Sequence, residues 1–337
     1  MTYSVGGQIQ ATDFNGFVSD GATNINNIWS GAVASGDTGW GQSALATVSA
    51  GSTVSATNWA SLVNTLASMG NQTGTTITAR SAPTAGTPIA VLSALSTDIT
   101  NCNTNRANAA VVGTTSTTWT GSVSKTTNTQ GSPVTSGGWV ISFVSEVTFP
   151  SADQARWFWN AGGRVYLNMS KTSTGRDPDS EWNQFAADMP TLNITGNSAS
   201  KTLVGTAYTG FSITGGNLAG YTVATDTTLG WYGLTAGAAA VTAFSAYPTS
   251  GTYSGVDLIY TTLRKSADST VLTIVTIWTS AARSGPGNTT WITGGTATAS
   301  PFTAFGTAPT VVCRFVPPST TYLSNTWGTP TVASSVT

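Results

Sequence analysis

The spacing of apolar residues shifts from helical to mainly alternating near residues 110–116. Before that point it is helical. In residues 50–74, "AGSTVSATNWASLVNTLASMGNQTG", the positions Trp59, Leu62, Val63, Leu66 and Met69 recur at helical intervals, with Ser55 or Thr57 as cap and Gly70 as the expected end. A second predicted helix starts at Thr87 and Pro88 and runs through Leu92, Leu95 and Ile99 towards Arg106. A third falls within residues 11–30, carrying Phe14, Phe17, Ile25, Ile28 and Trp29, with Gly16 and Gly21 weakening it. Each has one apolar face, so residues 1–112 are expected to form a small helical module.

Beyond residue 113 the pattern alternates. In "WVISFVSEVTF", Trp139, Ile141, Phe143, Val147 and Phe149 share one face, opposite Ser142, Glu146 and Thr148. The runs "RVYLNMS", "DLIYTTL", "TVLTIVTIWTS" and "TVVCRFV" are also strand-like, and glycine-rich turns such as "TGGN", "SGPGN" and "TGGT" separate such pieces. Two helices interrupt them. "SADQARWFWNAGG" opens with Ser151 and Gln154 in capping-box spacing and closes at Gly162 and Gly163. "PDSEWNQFAADMP" offers Asp179 or Ser180 as cap and Trp182, Phe185 and Met189 as an apolar face. The expected fold class is therefore α+β: a helical module, then a mainly antiparallel β-sandwich over 113–316 with one or two covering helices. "VVGTTSTT" reads as the linker between them, and the tail 317–337, which has no clear period, as an extended arm.

Composition sharpens this picture. Charged residues make up 7% of the 337 positions and the net charge is -1, so no basic surface for nucleic acid or anionic membrane is expected. With 39% hydrophobic residues and twelve Trp, the chain has enough apolar side chains to fold. A near-neutral surface of Thr, Ser, Asn and Gly suits one that meets other protein, and a homo-oligomer is expected. The start "MTYSVGGQIQATDF" has no export-signal pattern, and no apolar run reaches membrane-spanning length, so folding in a cytoplasm is expected. Cys102 and Cys313, far apart in sequence, read as buried free thiols rather than a disulfide.

Candidate chemistry is sparse. There is no histidine, which excludes Ser-His and Cys-His nucleophile pairs. A glycosidase needs two carboxylates across a sugar bond; Glu146 sits on the polar face of a predicted strand, and it and Glu181 read as structural or solvated. "GRDPDSE" sets Asp177, Asp179 and Glu181 at alternate positions, a weak oxygen-ligand set for calcium that serves equally as an acidic helix start. No phosphate-loop pattern occurs, and no cofactor is expected. The aromatics point to packing: in one helix Trp157 and Trp159 project about 200° apart, so one must face away from the helix's own sheet. Together with Trp40 and Trp59 they are the candidates for partner contacts.

Two segments carry a resemblance. "GDTGWGQSALATVSAGSTVSATNWASLVNTLASMGNQTG" is similar to a pattern in virion structural proteins of tailed bacteriophages, especially large marine and cyanobacterial phages with contractile tails. Gly39-Trp40-Gly41-Gln42 matches a Gly-aromatic-Gly-Gln turn, Ser55-Ala56 with Trp59 and Leu62 a helix start, and Gln72-Thr73-Gly74 its end, with Asn71 where His is usual. "FPSADQARWFWNAGGRVYLNMS" resembles a second segment of the same proteins. The resemblance implies a non-enzymatic virion component, tail-associated at the baseplate, fibre base or neck, whose partners are sister subunits and other virion proteins. It leaves open a receptor-binding fibre protein that holds host surface glycans, a capsid decoration protein and, as an enzyme, a polysaccharide depolymerase. Attachment is expected to fall to the helical module.

Overall fold

A computed structural model describes residues 9–20, 23–31, 38–85, 94–122, 139–172, 177–196, 200–249, 257–280 and 308–336. The fold is α+β, with N-terminal helices and mostly antiparallel, sandwich-like sheets.

The region 11–30 forms two helices, α1 (Ala11–Val18) and α2 (Ile25–Trp29). Asn24 stops any continuation, because its side chain accepts from the backbone N–H of Asn27 and caps α2. Gly16 lies inside α1. The long helix α3 (Ala56–Thr73) opens on a capping box between Ser55 and Asn58. It runs through Gly70, where an end was expected, and stops at Gly74 with φ +70. The reason is burial: Met69, Gly70, Gln72 and Thr73 all lie in the packed region, whereas Gly74 supplies the left-handed turn. The fourth helix, α4 (Leu95–Thr104), buries Leu95, Ile99 and Cys102, while the expected start at Thr87 and Pro88 lies outside the described residues. Trp59 is the hub, edge-on to Phe14 at 5.2 Å and to Phe17 at 6.3 Å.

Thirteen strands follow among the described residues: β1 (Ser116–Ser122), β2 (Trp139–Thr148), β3 (Arg164–Ser170), β4 (Thr191–Ile194), β5 (Lys201–Leu203), β6 (Thr206–Tyr208), β7 (Phe211–Thr214), β8 (Tyr221–Thr225), β9 (Val241–Pro248), β10 (Asp257–Lys265), β11 (Val271–Ser280), β12 (Thr310–Val316) and β13 (Thr331–Val336). One sheet has the order β1-β12-β3-β4-β7 and the other β13-β2-β11-β10-β9-β8, while β5 and β6 form a separate ribbon. Alternation settles the inward faces. Ile141, Phe143 and Val147 of β2, Ile274 and Trp278 of β11, Leu167 of β3 and Cys313 of β12 are all at most 1% exposed and belong to one core.

Two helices fill the sandwich. α5 (Ala152–Asn160) takes its cap from Ser151, and α6 (Asp177–Asp188) begins two residues before the expected cap. Trp182 of α6 stacks on Trp278 at 5.5 Å and 15°, and Phe185 on Tyr221 at 5.2 Å, so α6 touches the six-stranded sheet through aromatic faces. Neither Cys102 nor Cys313 is in a disulfide, and both are buried.

The segments expected as linker and arm are woven into this body. Ala109 N–H donates to the Thr202 carbonyl, Ala110 N–H to Gln72 and Gly113 N–H to Pro317. The tail 317–337 is corrected from an extended arm: it buries Leu323 and Trp327 and ends in β13, paired with β2 from Thr331↔Thr148 to Val336↔Phe143. Its six-residue alternation was obscured by small side chains, which carry little hydrophobic contrast. Core residues of α1–α4 and of both sheets form a single contiguous cluster.

Candidate functional site

The two segments that carry the phage resemblance meet in space, and the tail joins them. Residues 38–42 lie along α5. The Thr38 carbonyl accepts from Arg156 Nη1 at 2.8 Å and from Asn160 Nδ2 at 3.0 Å, and the Gly39 carbonyl accepts from Asn160 Nδ2 at 3.0 Å. Trp40 Nε1 donates back to the Asn160 carbonyl at 3.2 Å. Asn160 is completed by Tyr232, whose hydroxyl donates to its Oδ1 at 2.6 Å.

The second glycine and the glutamine of the Gly-Trp-Gly-Gln turn have separate physical duties. Gly41 holds φ +70 against the Trp157 ring, and a Cβ there would lie 2.2 Å from Trp157 Cδ2. No side chain fits. Gln42 is 5% exposed and reaches the tail: Nε2 donates to the Ser324 carbonyl at 3.0 Å, and Oε1 accepts from Ser324 N–H at 2.8 Å. Thr326 Oγ1 closes the loop by donating to the Trp40 carbonyl at 2.7 Å. At the end of α3, Gln72 Nε2 donates to the Ala161 carbonyl at 3.1 Å, tying the long helix to the end of α5. Asn71, the position where the resembling proteins carry His, is exposed, so a side chain there contributes nothing to this junction.

The four tryptophan candidates divide by burial. Trp40, Trp59 and Trp159 are at most 1% exposed, which takes them off any partner-facing surface and makes them core residues. The expected divergence along α5 is present: Trp159 turns inward to stack on Trp231 at 5.7 Å and 25°, and half-buried Trp157 turns out onto Gly41. Sequence reasoning detected the divergence but not its cause, which is contact with a segment more than a hundred residues away.

Several scarce charges are spent inside. Lys265 Nζ donates to the Trp231 carbonyl at 2.9 Å and lies 5.1 Å over the same ring, and burial lowers its pKa. Lys201 Nζ donates to the Trp159 carbonyl at 3.3 Å. Arg80 pairs with Asp98 at 2.6 Å, both side chains nearly covered. Sequence gave one hint of this, since Lys265 follows Leu263 on the inward register of its strand.

Two clefts lie among the described residues. One of about 530 Å³ lies between residues 112–116 and the tail, lined by Val112, Ser116, Pro317, Ser319, Asn325 and Trp327, and its lining contains no ionisable side chain. The other, of about 240 Å³, is bordered by Arg164 and Tyr208. That guanidinium is held between Tyr166 and Tyr208, at 5.1 and 4.8 Å from the ring centroids, and donates to Asn193 and to the Tyr208 hydroxyl. It is fixed rather than free to turn.

Glu146 is half-buried on β2, 3.5 Å from the Thr273 hydroxyl. The weak metal candidates Asp177, Asp179 and Glu181 fall in the first turns of α6, and their side chains lie outside the described residues. Among the described residues no group of three His, Cys, Asp or Glu side chains could hold a metal ion, and no helix is long and apolar enough to cross a membrane. Comparison with models of known families, with curated proteins and with solved structures found no match.

Proposed function

We propose that this chain is a non-enzymatic structural component of a bacteriophage virion, associated with the tail at the baseplate, fibre base or neck and assembled with sister subunits and other virion proteins. The observation that carries the reading is the junction. The two segments that resemble virion proteins, residues 36–74 and 149–170, are far apart in sequence yet bind each other through the Thr38, Gly39 and Asn160 carbonyls, Arg156, Gln72 and Gly41. A motif that directs these hydrogen bonds inward, between its own two segments, serves shape. Rigidity of this kind suits a subunit that must present fixed surfaces to its neighbours. Burial of Trp40, Trp59 and Trp159 weighs against a sugar-stacking platform built on those rings.

Mass spectrometry of purified particles tests the reading by copy number. A few to some tens of copies per particle supports the tail, hundreds support a capsid decoration protein, and absence from the particles overturns the virion assignment.

A further inference from the structure

Resting on that reading, the geometry points to the outer face of the six-stranded sheet as the surface through which two copies of this chain pair, face to face, about a two-fold axis parallel to β11.

The register fixes the face. Three rows cross the central strands β2, β11 and β10: Glu146–Thr273–Arg264, Val144–Val275–Thr262 and Ser142–Ile277–Tyr260. The inward neighbours of these residues, such as Ile274, Trp278 and Ile259, are fully buried, while Val144, Val275, Ile277 and Tyr260 are half-buried and not packed against the core. Solvated sheet faces normally carry polar side chains in alternation with the core. This face instead presents Val, Ile and Tyr in its middle, with charge only in one row.

The position of that charge selects the occupant. Glu146 and Arg264 flank Thr273 symmetrically, one strand away on either side. A two-fold axis running along β11 keeps each row at its own level and exchanges β2 with β10. Glu146 of each copy then faces Arg264 of the other, Val275 faces Val275, Ile277 faces Ile277, and small Ser142 faces large Tyr260. The face is thus complementary to itself in both charge and volume, which is the requirement of an isologous contact. Size is adequate. The axis maps β13, β2, β11, β10 and β9 onto one another and leaves β8 outside, so at ~4.8 Å between strands and about 6.7 Å between residues on one face, five strands by four rows cover roughly 640 Å² per copy. Doubled over two copies, this reaches the lower limit of a stable interface, ~1,200 Å². Sheets stacked face to face keep their strands within about 30° of each other, so the central rows stay opposed.

The test uses the full chain in analytical ultracentrifugation, with circular dichroism as the check on folding. The unaltered protein is expected to dimerise at micromolar concentration. Ile277→Glu, which sets a carboxylate against its own copy, is expected to give folded monomer. Glu146→Arg alone and Arg264→Glu alone each oppose like charges and should weaken pairing at least about tenfold. The double exchange Glu146→Arg with Arg264→Glu restores opposition of unlike charge and should return the affinity to within about threefold of the original. A wild-type monomer at all concentrations, a dimer indifferent to Ile277→Glu, or a double exchange no better than the single changes would overturn the pairing. A monomer still found in phage particles would leave the virion reading intact, and a paired protein absent from particles would remove that reading while keeping the dimer.

Discussion

At the scale of single residues, burial sets the chemistry of the two thiols. Burial raises the pKa of Cys102 from 9.0 to about 12, with the Asp98 charge adding to it, and burial raises that of Cys313 from 9.0 to about 12 as well. Neither should react with a thiol reagent at pH 8 in the native protein, and both should react in denaturant; native labelling would show that these sites open. The sign of the pH effect follows. Between pH 9 and about 12 the unfolded thiols lose protons that the folded ones keep, so this contribution to stability falls as pH rises. Lys265, lowered from 10.5, acts in the opposite sense, gaining stability as pH climbs towards 10.5. Urea titrations of the protein and of a Cys102→Ala/Cys313→Ala variant from pH 8 to 11 separate the two, and an unchanged slope would refute the thiol term. Gly41 makes the second residue-level prediction. Gly41→Ala combines a left-handed backbone with an overlap on Trp157 and should cost about 2–4 kcal/mol. Adding Trp157→Ala should recover part of that loss, because it removes the overlap and leaves the backbone strain.

Among elements, the tail matters most. Gln42 exchanges hydrogen bonds with Ser324 through both ends of its amide, and β13 covers one edge of β2. Gln42→Ala should therefore cost about 1–2 kcal/mol in urea unfolding, since it removes two part-buried hydrogen bonds made by a buried side chain to the exposed Ser324. Removing residues 317–337 takes away Leu323, Trp327 and a whole strand, and should give an aggregating or unfolded product rather than an intact body lacking an arm. Expression of a soluble truncated protein with native near-ultraviolet dichroism would contradict this. Helix caps, by comparison, are minor: Ser55→Ala at the start of α3 should cost about 1 kcal/mol.

For the whole molecule, the shared core of helices and sheets predicts a single cooperative transition. Tryptophan fluorescence, dominated by rings in both regions, and far-ultraviolet dichroism should give coincident midpoints, and two separated transitions would mean that the helical module folds alone. Residues 109–113 are bonded to Thr202, Gln72 and Pro317, so limited proteolysis should not begin there. Periodicity by itself determined the elements whose stabilising face lies within their own sequence: the α3 stripe of Trp59, Leu62, Leu66 and Met69, the inward residues of β2, and the capped α5. Elimination by residue type likewise excluded histidine chemistry before any fold was known. Tertiary structure alone decided where α3 ends, that Trp40, Trp59 and Trp159 are core, and that the tail is a strand. The physical reason is one of range: an amphipathic stripe is a local property, whereas the partners of Gly41, Gln42, Asn160 and β13 come from segments 72 or more residues away, and no pattern in the sequence near them records which surface they will meet.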